Sequence, residues 1–259
     1  MADFIDEAEE QRFQAYLKRH PTATRAQYHM GQVARQVKQG ASHHSLGTNL
    51  ESGEGFWNAG AEKAARYMSA GGTRNSDRVV DYGCGSLRIG AHFIRFLDPE
   101  RFFGLDVTDE FYRIGMAQIG DALLKEKSPR FGVIGEPAIA EAEAFGADFV
   151  YSNAVCYQVH PEEQGTYFGN LLRLARKPGS RLVFNCMVAD PPVRYSHRSW
   201  AWPLSAYTTA LNELELVEAR LSHERLKGEC MVRPAALHFR RNEKQKSGGW
   251  RSWLSFSRK

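Results

Sequence analysis

Short apolar runs and amphipathic stretches alternate along the chain. Val79-Val80, Phe102–Leu105, Phe131–Ile134, Asp148–Tyr151 and Arg181–Asn185 are brief and rich in β-branched or aromatic residues, which predicts strands. Between them, apolar residues recur at helical spacing. Leu87, Ile89, Phe93, Ile94 and Leu97 follow the first run. Thr108 can cap a helix that runs to Lys127 and is broken by Ser128-Pro129. Ala138–Phe145 follows the third run, and Pro161-Glu162-Glu163 opens a helix carrying Tyr167, Phe168, Leu171, Leu172 and Leu174. Strand and helix repeated five times predict a parallel sheet with helices on both faces. Glu215–Ala219 and Ala236–Phe239 read as two further strands, for seven in all.

The flanks differ. Residues 3–18 read as a helix with Phe4, Phe13, Tyr16 and Leu17 on its apolar side, ended by Pro21. Thr24 can cap a second helix with Tyr28, Met30, Val33 and Val37, stopping at Gly40. These helices are expected to form a packing cap; the alternatives are a lid over a ligand or a homodimer contact. Ala41–Gly55 reads as a polar loop, and Phe56–Met68 as a helix ended by Gly71-Gly72. Met187–Pro203 is too polar and proline-rich for core and reads as a long aromatic loop, followed by a helix over Leu204–Leu211. The organisation expected is a helical cap and loop over residues 1–55, one domain over 56–243, and a tail over 244–259.

Composition adds little to this. With 259 residues, 42% hydrophobic and 25% charged, the chain reads as an ordinary globular protein. No apolar run reaches the roughly 20 residues needed to span a bilayer. The acidic N-terminus is unlike a signal peptide. Cys84, Cys156, Cys186 and Cys230 are scattered, so reduced thiols and a cytoplasmic location are expected. The net charge of +4 is uneven: from Arg240 onward there are seven Lys or Arg and one Glu, a balance of +6 that leaves −2 for the rest. A body so close to neutral gives no reason to expect a nucleic-acid face.

Candidate chemistry concentrates at Arg78–Gly90. Gly83 and Gly85 let the backbone turn sharply between the first strand and its helix. A dinucleotide fingerprint would place its third glycine at 88, where Arg88 stands, and Asp81 would repel a pyrophosphate. Asp81 suits a cationic, phosphate-free ligand instead. A second acid, Asp106, lies 21 residues beyond Gly85 at a strand end, where ribose hydroxyls are held.

The segment resembles motif I of the class I S-adenosylmethionine-dependent methyltransferases, whose core is an acid, any residue, then Gly-x-Gly. The family's third glycine falls at Leu87. The resemblance covers roughly Phe56 to Phe239. It implies a Rossmann-like, seven-stranded, mostly parallel sheet with an antiparallel finish, and S-adenosylmethionine as cofactor. It places Asp81, Gly83, Cys84, Gly85, Asp106, Val107, Glu136 and Asn153 at the cofactor, with Glu136 near the adenine. Trp57 is a weaker pocket candidate, with core packing the alternative.

The acceptor is less legible. A nucleic-acid amine enzyme would carry Asp/Asn-Pro-Pro-aromatic after strand four, where Ser152-Asn153-Ala154-Val155 stands; a cytosine C5 enzyme would show Pro-Cys there. A magnesium-dependent catechol-type enzyme would carry an Asp there and Asp-Asn after strand five, where this chain has Ser152 and Asn185-Cys186. What remains is metal-free methylation of a small molecule or saccharide, O-methylation first, with N- or C-methylation or a non-catalytic cofactor-binding role as alternatives. His160 is the first candidate for a general base, although similar sequences carry a histidine two positions earlier, at Gln158. His197 is the second. With Arg194 and Arg198 it can also bind an anionic acceptor. His43-His44 have no carboxylate or cysteine at ligand spacing.

The tail carries Trp250, Trp253 and Leu254 at helical spacing beyond Gly248-Gly249, with Arg251, Arg258 and Lys259 among them. That composition fits a peripheral membrane anchor. A frayed terminus, or packing on its own domain or a dimer partner, is the alternative.

Overall fold

The computed structural model describes residues 4–38 and 53–243. The expected Ala41–Gly55 loop, with His43-His44, lies almost wholly outside these residues, and the tail lies outside them. Among the described residues, no helix is long and apolar enough to cross a membrane.

The chain opens with α1 (Glu7–Leu17), α2 (Arg25–Lys38) and α3 (Gly53–Gly71). The repeating part follows as β1 (Val79–Tyr82), α4 (Gly90–Phe96), β2 (Phe102–Asp106), α5 (Asp109–Ile119), α6 (Asp121–Lys127), β3 (Arg130–Val133), α7 (Glu136–Phe145), β4 (Phe149–Ser152), α8 (Gln164–Leu174) and β5 (Arg181–Val188). The last part comprises β6 (Val193–Ser196), β7 (Ser199–Ala201), α9 (Leu204–Ala210), β8 (Glu215–Leu221), β9 (Arg225–Lys227) and β10 (Cys230–Arg240). The main sheet runs β3-β2-β1-β4-β5-β10-β8, with β9 also paired to β10. Strands β1 to β5 are mutually parallel, and β10 is antiparallel to β5, β8 and β9.

The doublets in the strands explain the two helical layers. Successive side chains of a strand point to opposite faces. Val80, Phe103 and Val150 pack with Ile139, Phe168, Leu171 and Tyr207 on one side. Val79, Phe102 and Phe149 pack with Phe56, Phe93, Ile94 and Ile119 on the other. Each doublet therefore serves both layers, as a strand covered on two faces must.

Several expected boundaries shift. The helix after the glycine turn begins at Gly90 and not at Leu87, because Leu87 takes a left-handed backbone (φ 59). That conformation costs a non-glycine residue about 1–2 kcal/mol. Its side chain is wholly buried, and burying a leucine returns about 1.5–3 kcal/mol, so leucine is tolerated where the motif it resembles has glycine. The expected single helix over 109–127 is two helices, joined at Gly120.

The largest correction concerns Met187–Pro203. Here β5 continues to Val188, and β6 pairs with β7 as an antiparallel hairpin. Trp200 and Ala201 are buried. Ala201 packs with Ala189 and with Val232 of β10 in a small satellite core. Strand β10 begins six residues earlier than expected and reaches the hairpin, which is what gives these apolar side chains a surface to bury against. It also gains β9 as a partner, so the sheet has eight strands rather than seven.

Candidate active site

The C-terminal ends of the parallel strands meet at one cavity of about 510 Å³. Its floor is the turn after β1. Gly83 takes φ 86 and Gly85 φ 51. A Cβ on Gly83 would stand 2.2 Å from Cγ2 of Val155, so glycine there lets this valine of the loop after β4 pack against the turn. Around Gly85 there is open space, so a ligand can approach the bare backbone.

Two acids flank this turn. Asp106 accepts the Gly85 N–H at 2.7 Å through Oδ2 and the Val107 N–H at 2.8 Å through Oδ1. Burial raises its carboxyl to about 6, and these backbone donors hold it from rising further. Asp81 is only 2% exposed and accepts the Tyr151 hydroxyl at 2.7 Å. Burial pushes it to about 8, and the Asp106 charge adds to the rise. The Tyr151 hydrogen bond acts in the opposite direction. Cys84 lies buried in the same turn, and burial raises its thiol well above the usual range.

The loop after β4 forms a wall. Ala154 takes φ 60; its N–H donates to Asn185 Oδ1 at 2.6 Å and its carbonyl accepts from Gln158 Nε2 at 2.6 Å. Asn153 Oδ1 accepts the Tyr67 hydroxyl at 3.3 Å. Farther along, His160 sits edge-on to Trp200 of β7, with ring centroids 5.3 Å apart. Its Nδ1 accepts the Glu162 N–H at 3.3 Å, so the neutral ring carries its proton on Nε2. Burial, helped by the nearby Arg25 charge, lowers this histidine to about 4.

The first turns of α2 line the cavity from above. Thr24 and Gln27 cap this helix reciprocally, at 3.0 Å in each direction. Glu163 accepts the N–H groups of Arg25 and Ala26 at 2.6 and 3.3 Å. The buried Arg25 guanidinium donates to Glu162 at 2.9 and 2.7 Å and to Glu10 at 2.6 Å, and lies over the Phe13 ring. The N-terminal helices are thereby pinned to the loop that carries His160.

The structure brings Asp81, Gly83, Cys84, Gly85, Asp106, Val107, Asn153 and His160 to this one cavity. It sends Glu136 elsewhere. Glu136 starts α7 on the surface, where Arg173 of α8 grips both its oxygens at 2.8 Å, so an adenine contact does not follow from this geometry. His197 is 60% exposed at the tip of the hairpin, 3.8 Å from Asp6 and from Glu9, outside the cavity lining. Arg194 turns to Asp6 at 3.4 Å, so of the expected anion-binding trio only Arg198 lines the cavity. Trp57 packs across Phe56 and His92 and carries the Arg95 guanidinium 3.7 Å from its ring centre. Sequence reasoning missed Arg25, Lys63, Glu163 and Trp200 as lining residues. The Thr24-x-x-Gln27 capping pair was visible, but nothing local shows that the helix it starts lies over a cavity.

A parallel sheet closed by an antiparallel strand between its fifth and edge strands, with a glycine turn after β1, is the fold of the class I S-adenosylmethionine-dependent methyltransferases. Solved structures agree on the fold. The 1,6-didemethyltoxoflavin-N1-methyltransferase of Burkholderia thailandensis, with S-adenosylhomocysteine bound, superposes at TM-score 0.53 with 17% identity over 85% of this chain and 92% of its own. The magnesium protoporphyrin IX methyltransferase of Synechocystis PCC 6803, with S-adenosylmethionine bound, gives 0.51 and 14% over 78% and 86%. The cyclase SpnF gives 0.56 and 14% over 70% and 81%. No family model matches the sequence, and no curated protein matches it.

Proposed function

We propose that the protein is an S-adenosylmethionine-dependent methyltransferase that methylates an oxygen of a small molecule or saccharide without a metal ion. The observation that carries this reading is that one cavity joins the Asp81–Gly85–Asp106 floor to a second wall made of His160, Arg198 and Trp200. The floor suits the cofactor: it offers open space at Gly85, an acid at each side, and no third glycine for a pyrophosphate. Bound S-adenosylmethionine supplies an electrophilic methyl group. The chain's own residues need to hold an acceptor oxygen close and in line, exclude water, and take or tolerate a proton. The roof of α2 supports a small acceptor over a polymer. Arg198 favours an acceptor with an anionic group.

The positions that hold magnesium in catechol-type enzymes are committed here to other bonds. Ser152 donates to the Tyr82 carbonyl at 2.8 Å, Asn185 holds Ala154, and Cys186 is buried. Activity is therefore expected to survive EDTA; loss on chelation with rescue by magnesium would overturn the metal-free reading.

Methyl-labelled cofactor incubated with a panel of hydroxylated small molecules and sugars, anionic members included, tests the reaction itself. Label on oxygen supports the proposal, and label on nitrogen or carbon favours the competing transferase reading, which the toxoflavin enzyme illustrates. Tight cofactor binding with no label transfer to any acceptor favours a protein that uses the fold without methylating, and SpnF shows that this fold serves a cyclase.

Replacing Asp106 with alanine removes the acceptor for two partly buried N–H groups and the acid expected at the ribose. Charge-assisted hydrogen bonds of this kind contribute about 1.5–3 kcal/mol each. Calorimetry should show S-adenosylhomocysteine binding weakened by at least about tenfold; equal affinity in the two proteins would remove Asp106 from the ribose.

A further inference from the structure

We infer that Asn185 and Gln158 are positioning residues for the transfer site: together they hold Ala154 in a left-handed backbone conformation, and Ala154 sets where the loop after β4 meets the glycine turn. This rests on the cofactor reading above. The inference starts from a backbone exception. Ala154 takes φ 60, a region that a residue with a side chain enters only when its surroundings impose it. It lines the cavity together with its neighbours Asn153 and Val155. Side-chain amides bracket both polar groups of this one residue. Its N–H donates to Asn185 Oδ1 and its carbonyl accepts from Gln158 Nε2, each at 2.6 Å. Partly buried backbone groups outside helices and strands need such partners, and here the partners also fix the conformation.

The strand lengths explain how Asn185 reaches this loop. Strand β4 stops at Ser152, opposite Phe184 of β5, while β5 runs on to Val188. Asn185 is the next residue of β5, so it stands beside the loop where the chain leaves the sheet. The start of the loop is fixed separately: Ser152 donates to the Tyr82 carbonyl at 2.8 Å and accepts the Tyr167 hydroxyl at 3.1 Å. Just past Ala154, Cγ2 of Val155 lies 2.2 Å from where a Cβ on Gly83 would stand. Rotation of Ala154 to an ordinary right-handed conformation would carry Val155 with it, and Val155 is where the acceptor wall meets the cofactor floor. Asn185 is not among the cavity-lining residues, so its effect on a ligand passes through Ala154. Gln158 does line the cavity, but its amide nitrogen is spent on the Ala154 carbonyl. A ligand that needs this loop shape binds more weakly in proportion to the fraction of molecules that lack it. Glycine reaches the same conformation without help, so a glycine at 154 makes the bracket unnecessary.

Calorimetry with S-adenosylhomocysteine is run on the full-length wild type, Asn185→Leu, Gln158→Leu, Ala154→Gly and the double variant Asn185→Leu/Ala154→Gly. Thermal midpoints and hydrogen exchange are measured on the free proteins. Asn185→Leu should bind roughly five- to thirtyfold more weakly, the factor that the left-handed penalty of a non-glycine residue sets, and its Ala154 N–H should lose protection. Gln158→Leu should act in the same direction. In the Asn185→Leu background, Ala154→Gly should recover most of the loss; glycine adds no contact, so recovery reports conformation alone. Unchanged affinity in Asn185→Leu, a lower thermal midpoint without loss of affinity, or a loss that glycine does not recover overturns the inference. If Asn185→Leu does not fold, Asn185→Ala carries the same comparison. If the wild type does not bind S-adenosylhomocysteine, the cofactor reading fails on its own. The bracket is then decided by exchange at Ala154: protection lost only in the variant supports it, and equal protection in both proteins overturns it.

Discussion

Asp81→Asn protein is expected to bind S-adenosylmethionine at least about tenfold more weakly than the wild type at pH 7.5, and to lose the pH dependence that the wild type shows. Burial holds the Asp81 carboxyl at about 8, so at neutral pH the free protein carries it mostly protonated. A cationic ligand selects the ionised form. Wild-type affinity should therefore rise about tenfold per pH unit from pH 6 toward 8, and binding at pH 7 should release close to one proton. Calorimetry in buffers of different ionisation enthalpy reads both quantities. The sign reverses for the free protein. A carboxyl with a raised pKa keeps its proton when folded and loses it when unfolded between pH 4 and 8, so this group's contribution to stability falls as pH rises through that window. Asparagine keeps an oxygen to accept the Tyr151 hydroxyl. The variant should thus melt no lower than the wild type at pH 8 while binding far less cofactor, which separates lost binding from a damaged fold. A wild-type affinity flat between pH 6 and 7.5 would remove Asp81 from the cation.

The second large effect is expected at His160. If it takes the acceptor's proton, His160→Ala should lower kcat by roughly 10²–10⁴-fold and leave cofactor affinity intact. Its low pKa shapes the profile: the neutral, active form persists down to about pH 4, so the acid limb of kcat/KM should fall near 4 and not near 6.5. A base that weak matches an acceptor whose hydroxyl is itself acidic, such as a phenol or enol. To act as a base, Nδ1 must also release the Glu162 N–H. His160→Asn is therefore the informative companion, because its side-chain oxygen can still cap that N–H. If both variants stay within about threefold of the wild type, His160 is only a wall of the cavity, and proximity and desolvation carry the reaction.

The parts of this molecule that were legible in the sequence are those decided locally. Val79-Val80 and Phe102-Phe103 announce strands buried on two faces, and Asp81, Gly83, Gly85 and Asp106 converge because strand ends and a tight turn leave them little choice. What escaped depends on residues far along the chain. Glu136 has a suitable place beside β3, but Arg173, 37 residues away, draws it to the surface. Met187–Pro203 reads as too polar and proline-rich for core, and it is the early part of β10 that supplies Val232 to pack against. The covering of the cavity by α2 depends on Arg25 meeting Glu162, a contact spanning 137 residues. Leu87 was the reverse case: a departure from the glycine of the motif it resembles that the fold absorbs, because burial of the side chain offsets the backbone cost.

The way the two walls of the cavity are supplied bears on inheritance. The floor comes from one contiguous stretch around β1 and β2, locked into the deepest part of the sheet. The opposite wall is contributed by the start of α2, the loop after β4 and a hairpin that rests on its own small cluster of Ala189, Ala201 and Val232. Mutations in that hairpin can drift, lengthen or be exchanged without disturbing the packing under Asp81 or Asp106. A lineage built this way can keep one reagent and change its clientele, and the hairpin is where descendants of this chain should differ most from one another.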